Sequence, residues 1–144
     1  MNDTSSGNPP HRLLIIDDNI EITDILTEVG RDAGYDVRSI NDFTEIKPAY
    51  REFSPDLIFL DLDLSVDLDV DMSERGYDGL AVFNFLAENN CQSRIVLISG
   101  MGKGISDKTK SIGKEMKLNV IGSIPKPFSV EVIRKLLLKL KGEN

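Results

Sequence analysis

Four short apolar runs, each stopping at a polar residue of a particular kind, constrain this chain more than any other feature. They are LLII before Asp17-Asp18, LIFL before Asp61, IVLI before Ser99, and the segment from Val120 to Phe128 that carries Lys126. Runs this short and this continuously apolar read as strands buried on both faces, as in parallel sheets covered by helices. The stretches between them have a helical period, and strand-like runs alternating with helical stretches indicate βαβ units. Open α/β sheets place ligand sites beyond the C-terminal ends of their strands. The acidic pair, the further carboxylate, the hydroxyl and the lysine are therefore expected in one cleft, a set suited to a divalent cation and a phosphoryl group.

Ile22, Ile25, Leu26 and Val29 recur at helical spacing, with Gly34 as the terminator before a short strand from Asp36 to Ile40. A second helix is predicted from near Pro48 to just before Ser54-Pro55, because proline suits a first turn and disfavours helix in the residue before it. Asp78-Gly79 opens a third, with Leu80, Phe83, Leu86 and Ala87 on one side. The fourth, about Ser106 to Lys117, has a thin apolar set and contains Gly113, which costs roughly 1 kcal/mol against alanine in a helix interior. The fifth starts from Ser129 as N-cap, turns Ile133, Leu136, Leu137 and Leu140 inward, and stops at Gly142. Five strands and five helices occupy residues 12–141, leaving no room for a second domain. Residues 1–11, polar with Gly and two prolines, are expected to form a mobile tail, and 142–144 a short C-terminal one. His11, the single histidine, is expected to be a spectator.

A chain of 144 residues suits one domain with a substantial core. Its net charge of -7 argues against direct binding to nucleic acid, which needs clustered Lys and Arg. Cys91 stands alone, which excludes an internal disulfide and a cysteine-based metal site and suits a reducing cytoplasm. The first ten residues lack the charged start and apolar stretch of a secretory signal. No run approaches the ~20 apolar residues of a membrane span. A soluble, cytoplasmic protein with no membrane partner is expected.

Two adjacent carboxylates at a strand end repel each other unless a cation offsets them, and Mg2+ is the natural candidate because it takes oxygen ligands and keeps several waters. The same pair serves equally well as a helix N-cap with a second acid against the dipole. Asp61 reads as a third metal ligand, as a nucleophile that becomes an acyl phosphate, or as a solvated loop acid. Ser99 alone is uninformative, though a hydroxyl there suits a phosphoryl oxygen. Lys126, held between Pro125 and Pro127, offers the fixed positive charge that phosphoryl transfer needs. The loop SGMGKG from Ser99 to Gly104 lacks the spacing of a phosphate loop, since Gly104 stands where Ser or Thr should follow the lysine.

In this order, an acidic pair after strand one, an aspartate after PDLIFL, a hydroxyl after strand four and Lys-Pro-Phe after strand five, the residues resemble the receiver domain of two-component response regulators, from about Arg12 to Lys141. The resemblance implies a flavodoxin-like (βα)5 fold with a five-stranded parallel sheet in the order 2-1-3-4-5 and helices on both faces. It implies that Asp61 is the phosphoacceptor, and that Asp17, Asp18 and Asp61 hold Mg2+ together with the backbone carbonyl of Asp63. It further implies that Ser99 moves toward the phosphate, that Lys126 is its ion-pair partner, and that the Lys126-Pro127 bond is cis. The implied donor is a histidine kinase or a histidine phosphotransfer protein. With no effector domain in the sequence, output is expected to pass to another protein through the face of helix four, strand five and helix five, where Leu138 lies off the inward stripe.

Three positions depart from the family pattern. Receivers reach their Asp-Gly pair about seven residues past the acceptor, a short connection, whereas here it waits until Asp78, and Asp63, Asp67, Asp69 and Asp71 alternate with apolar residues in between. This acidic insertion within 62–77 is not an EF-hand, because the glycine required at the sixth position is replaced by Met72. It is expected to control donor access or bind a partner. Ser123 stands where receivers carry an aromatic that turns inward on activation, so coupling is expected to rest on Ser99 and the fourth helix. Asp63 itself is expected to influence the lifetime of the phosphate. A rival resemblance is to haloacid dehalogenase-like phosphatases, through LIFLDLDLS; those place a further acidic pair after the lysine, and none follows Lys126. A third reading is a receiver-like adaptor that is never phosphorylated, which the presence of all five side chains disfavours.

Overall fold

The computed structural model describes residues 11–61, 77–100 and 103–142. In chain order these form β1 (Arg12–Ile16), α1 (Ile20–Asp32), β2 (Asp36–Ile40), a short 3-10 turn (Phe43–Glu45), α2 (Ile46–Phe53), β3 (Leu57–Asp61), α3 (Tyr77–Glu88), β4 (Arg94–Ser99), α4 (Lys103–Glu115), β5 (Asn119–Pro125) and α5 (Val130–Gly142). All strand pairs are parallel, and the sheet order is β2-β1-β3-β4-β5. This is the flavodoxin-like (βα)5 arrangement. Residues 62–76, and with them Asp63 and most of the acidic insertion, lie outside the described residues, as do 1–10 and 143–144.

The strands with the most continuous apolar character lie centrally. Every residue of β3 is buried, and so are all of β1 and β4 except Arg12 and Arg94, because strands with helices on both faces have no solvent side. At the edge, β5 instead alternates buried and exposed positions and carries an irregularity opposite Ile95 and Val96. Side-chain alternation splits the core into two layers. Leu13, Ile15, Leu57, Phe59, Val96 and Ile98 pack against α1 and α5 through Leu26, Val29, Ile133 and Leu137. Leu14, Ile58, Leu60, Ile95 and Leu97 pack against α2 and α3 through Ile46, Ala49, Phe83 and Leu86.

Several local features are built differently from the sequence expectation. The cap of α1 is neither acid of the pair but Asn19, whose Oδ1 accepts from the N–H groups of Glu21 and Ile22. Ile25 lies at the margin of the apolar stripe and is exposed. Helix α2 begins before Pro48, which sits within its first turn where the missing N–H costs nothing. Helix α4 runs three residues earlier than expected at its start, and Gly113 is explained by close packing: an added Cβ would stand 2.7 Å from Val120 Cγ2 and 3.2 Å from the Phe83 ring. Gly34, at φ 91°, is the left-handed terminator after α1. No helix among the described residues is long and apolar enough to cross a membrane.

Candidate functional site

The sheet order reverses between β1 and β3, since the chain goes from β1 outward to β2 and then returns to the other side. Such a reversal leaves a crevice beyond the strand ends. Ile16 pairs with Leu60, so Asp17 and Asp61 emerge side by side at this crevice. Asp61 in turn pairs with Ile98, and Ser99, the next residue, pairs with Pro125. Lys126 therefore leaves β5 beside Ser99, whose carbonyl accepts the Lys126 N–H at 2.9 Å. Register in a parallel sheet thus brings residues distant in sequence to one edge, with adjacent strands about 4.8 Å apart.

One oxygen each from Asp17, Asp18 and Asp61 lies within 4.8 Å of the others. Asp17 and Asp61 are buried to 1% exposure, whereas Asp18 is open to solvent. Lys126 Nζ stands 3.1 Å from Asp61 Oδ1 and 3.4 Å from Asp17 Oδ2, its side chain 19% exposed. The Lys126-Pro127 peptide bond is cis. Asp17 Oδ1 accepts the backbone N–H of Asn19 at 2.9 Å, while its Oδ2 has no hydrogen-bond partner among the described residues and faces the cluster. Three convergent carboxylate oxygens, with no nitrogen or sulfur donor in the cluster among the described residues, suit a hard divalent cation of the Mg2+ or Ca2+ kind. The residues therefore fit Mg2+. Two buried carboxylates meeting one ammonium leave an excess of negative charge that such a cation would offset.

Ser99 is buried at the end of β4 on the same edge. Ser123 pairs with Leu97, two residues before Ser99 pairs with Pro125, and lines a hollow of about 320 Å³ with Val96, Ile121, Leu136 and Leu140. A larger hollow, about 550 Å³, lies at the opposite end of the strands, around Arg51, Ser54, Asn90 and Arg94; it is remote from the acids. Sequence reasoning missed Asn19 and Asn41, which hydrogen-bond the first acid, and Thr23, which hydrogen-bonds Asn41. Only Asn19 carried a signal, as a capping residue type directly before a helical period.

A family model described as the response regulator receiver domain matches residues 13–138. The chain is 31% identical over 98 residues to the DNA-binding response regulator MtrA of Mycobacterium tuberculosis (strain ATCC 25618 / H37Rv), an alignment covering 67% of this chain and 42% of that protein. MtrA of Mycolicibacterium smegmatis is 30% identical over the same length. The chain thus matches less than half the length of these curated relatives. Among solved structures, a response regulator from Colwellia psychrerythraea is similar with a TM-score of 0.74 at 24% identity, covering 94% of this chain and 100% of that one. The chemotaxis response regulator CheY4 of Vibrio cholerae is similar at 0.66 and 20% identity, covering 92% and 99%. At these identities the structural likeness shows a shared fold.

Proposed function

The chain belongs to the response regulator receiver domain family, and from that premise we propose that it is a phosphorylation switch whose acceptor is Asp61. Receivers of this family work with histidine kinases and effectors. Here the donor is a phosphohistidine on a kinase or phosphotransfer protein. A carboxylate oxygen of Asp61 attacks phosphorus, the P–N bond breaks, and the imidazole leaves with its electron pair and takes up a proton. Asp17, Asp18 and Asp61, with the backbone carbonyl of Asp63 that the family resemblance implies, would hold Mg2+, and the bound ion would supply positive charge against the negative charge on the phosphoryl oxygens. The observation that carries this reading is the position of Lys126, in contact with the acceptor and with one of the acids.

Each residue of this chain has a distinct part in the proposal. Lys126 neutralises the carboxylate in the resting state and pairs with a phosphoryl oxygen afterwards. The Ser99 hydroxyl donates to another phosphoryl oxygen, and its displacement is passed to α4 and β5. The serine at 123 removes the aromatic lever common in receivers, so output depends on the β4–α4 connection. The surface that changes is the face of α4, β5 and α5, where Ile121 and Leu138 are exposed, and it is read by a downstream protein. The acidic insertion that follows Asp61 in the sequence governs donor access or partner binding.

The test is incubation with a small-molecule phosphodonor and MgCl2, followed by intact-mass measurement. The native chain is expected to gain one phosphoryl group and Asp61→Asn none. An unmodified native chain would overturn the switch. Sustained release of phosphate from a phosphomonoester would favour the phosphatase reading instead.

A further inference from the structure

Asn41 directly follows β2 and is half-buried. Its Nδ2 donates to the backbone carbonyl oxygen of Asp17 at 2.9 Å and to Thr23 Oγ1 at 2.9 Å. A backbone carbonyl only accepts, so the amide nitrogen rather than the amide oxygen must face Asp17. Thr23 is buried in α1 and its hydroxyl donates to the Ile20 carbonyl at 3.1 Å, which turns a lone pair toward Asn41. The N–H of Asp17 donates to the Ile40 carbonyl at 3.2 Å. Both backbone groups of Asp17 are thereby tied to the end of β2, and one side chain bridges from there to the start of α1. The segment carrying Asp17 and Asp18 is pinned at both ends, with Asn19 capping the helix that follows.

Resting on the reading of the acids as a Mg2+ site, we propose that Asn41, acting with Thr23, is a positioning residue that holds the acidic pair in the geometry Mg2+ demands and so sets a preference for Mg2+ over Ca2+. Mg2+ requires near-octahedral placement of its ligands at short distance, whereas Ca2+ accepts six to eight oxygens in irregular arrangements. Loosening the segment therefore penalises the smaller ion. Hydrogen bonds one step removed from a metal typically change its affinity by 10–100-fold. An Asn41 variant keeps all three carboxylates, so the charge that attracts either cation is unchanged while its geometry is relaxed.

Titrations of the full chain with MgCl2 and with CaCl2, followed by amide chemical shifts, give a Kd for each ion, and urea unfolding in EDTA records stability separately. Asn41→Ala is expected to weaken Mg2+ binding roughly tenfold and Ca2+ binding far less. Thr23→Val keeps the Asn41 bond to Asp17 and removes the tie to α1 together with the hydroxyl's own bond to the Ile20 carbonyl, so it weakens Mg2+ by a smaller factor in the same direction. Asn41→Ala with native Mg2+ affinity, or with both ions weakened equally, overturns the proposal. If Asn41→Ala does not fold, Thr23→Val decides, and unchanged Mg2+ affinity there overturns it. A native chain that binds no Mg2+ removes the reading of the site itself, whereas native binding with indifferent variants removes only the role of Asn41.

Discussion

At the N-terminal end of the sheet the Ser93 hydroxyl donates to the Pro55 carbonyl at 2.6 Å, and the Asp56 carboxylate accepts the Arg12 N–H at 2.9 Å. At the C-terminal end of the same strands, Asp17 and Asp61 are buried and both pair with the ammonium of Lys126. The first end matches a donor to an acceptor, which offsets the desolvation of each. The second concentrates like charge where it is least well solvated. The same strands supply both ends, so the difference fits the proposed division of roles: the first end joins strands to turns, and the second, in the switch proposed above, holds charges whose repulsion a cation and a phosphoryl group would use.

The largest expected effect comes from removing the shared cation. Lys126→Ala leaves two buried carboxylates facing each other and should cost about 3 kcal/mol in EDTA, the scale for breaking a buried ion pair from one side. Urea unfolding measures it, and saturating MgCl2 should restore more stability to the variant than it adds to the native chain. A loss under roughly 0.5 kcal/mol, the range of ordinary surface changes, would erase the contrast between the two ends. Asp61→Asn acts in the opposite direction. It is expected to abolish the proposed phosphoryl adduct yet to raise metal-free stability by about 1 kcal/mol, the gain typical when a functional group under strain is relieved.

At the other end the pattern reverses. Ser93→Ala leaves the buried Pro55 carbonyl without its hydroxyl donor and should cost roughly 1–2 kcal/mol, with Mg2+ affinity and phosphorylation unchanged. A variant that lost phosphorylation as well would show that the two ends are coupled. The smallest effect is expected at Tyr35, whose hydroxyl donates to the Leu137 carbonyl at 2.7 Å and joins the α1–β2 turn to α5. Burial, opposed in part by Arg94, pushes the phenol above its ordinary value of 10.0. The folded state therefore holds the proton more tightly than the unfolded chain. Its contribution is complete below pH 10.0 and is lost as pH rises through the folded value. Tyr35→Phe should cost about 1 kcal/mol at neutral pH, and the gap to the native chain should narrow in alkaline unfolding titrations.

The fold was legible because its signals are periodic. Continuous apolar runs such as LIFL and the helical spacing of Ile133, Leu137 and Leu140 report burial directly. Helix ends were less legible: Asn19 rather than Asp17 or Asp18 caps α1, because which neighbouring side chain turns back to the first N–H groups depends on the strand before it. Ile25 fits the helical spacing yet is exposed, since α1 presents only a narrow stripe to the sheet. The candidate site was legible as five residue types at strand ends, and the structure gathers Asp17, Asp18, Asp61 and Lys126 and sets Ser99 on the same edge. Asn41 and Thr23 gave no signal, because their importance lies in hydrogen bonds between segments.

The amino-acid order by itself determined that strands and helices alternate, that the strands are buried, and that each of four strand ends carries a polar group, because periodicity and local composition are properties of neighbouring residues. That β1 lies beside β3 came from the family resemblance and from no local pattern, and only tertiary structure decided that one lysine spans Asp17 and Asp61 and that an asparagine after β2 hydrogen-bonds the backbone of the first acid. Those depend on strand order and register, which are set by how two packed layers close around the whole sheet and by no single stretch of chain.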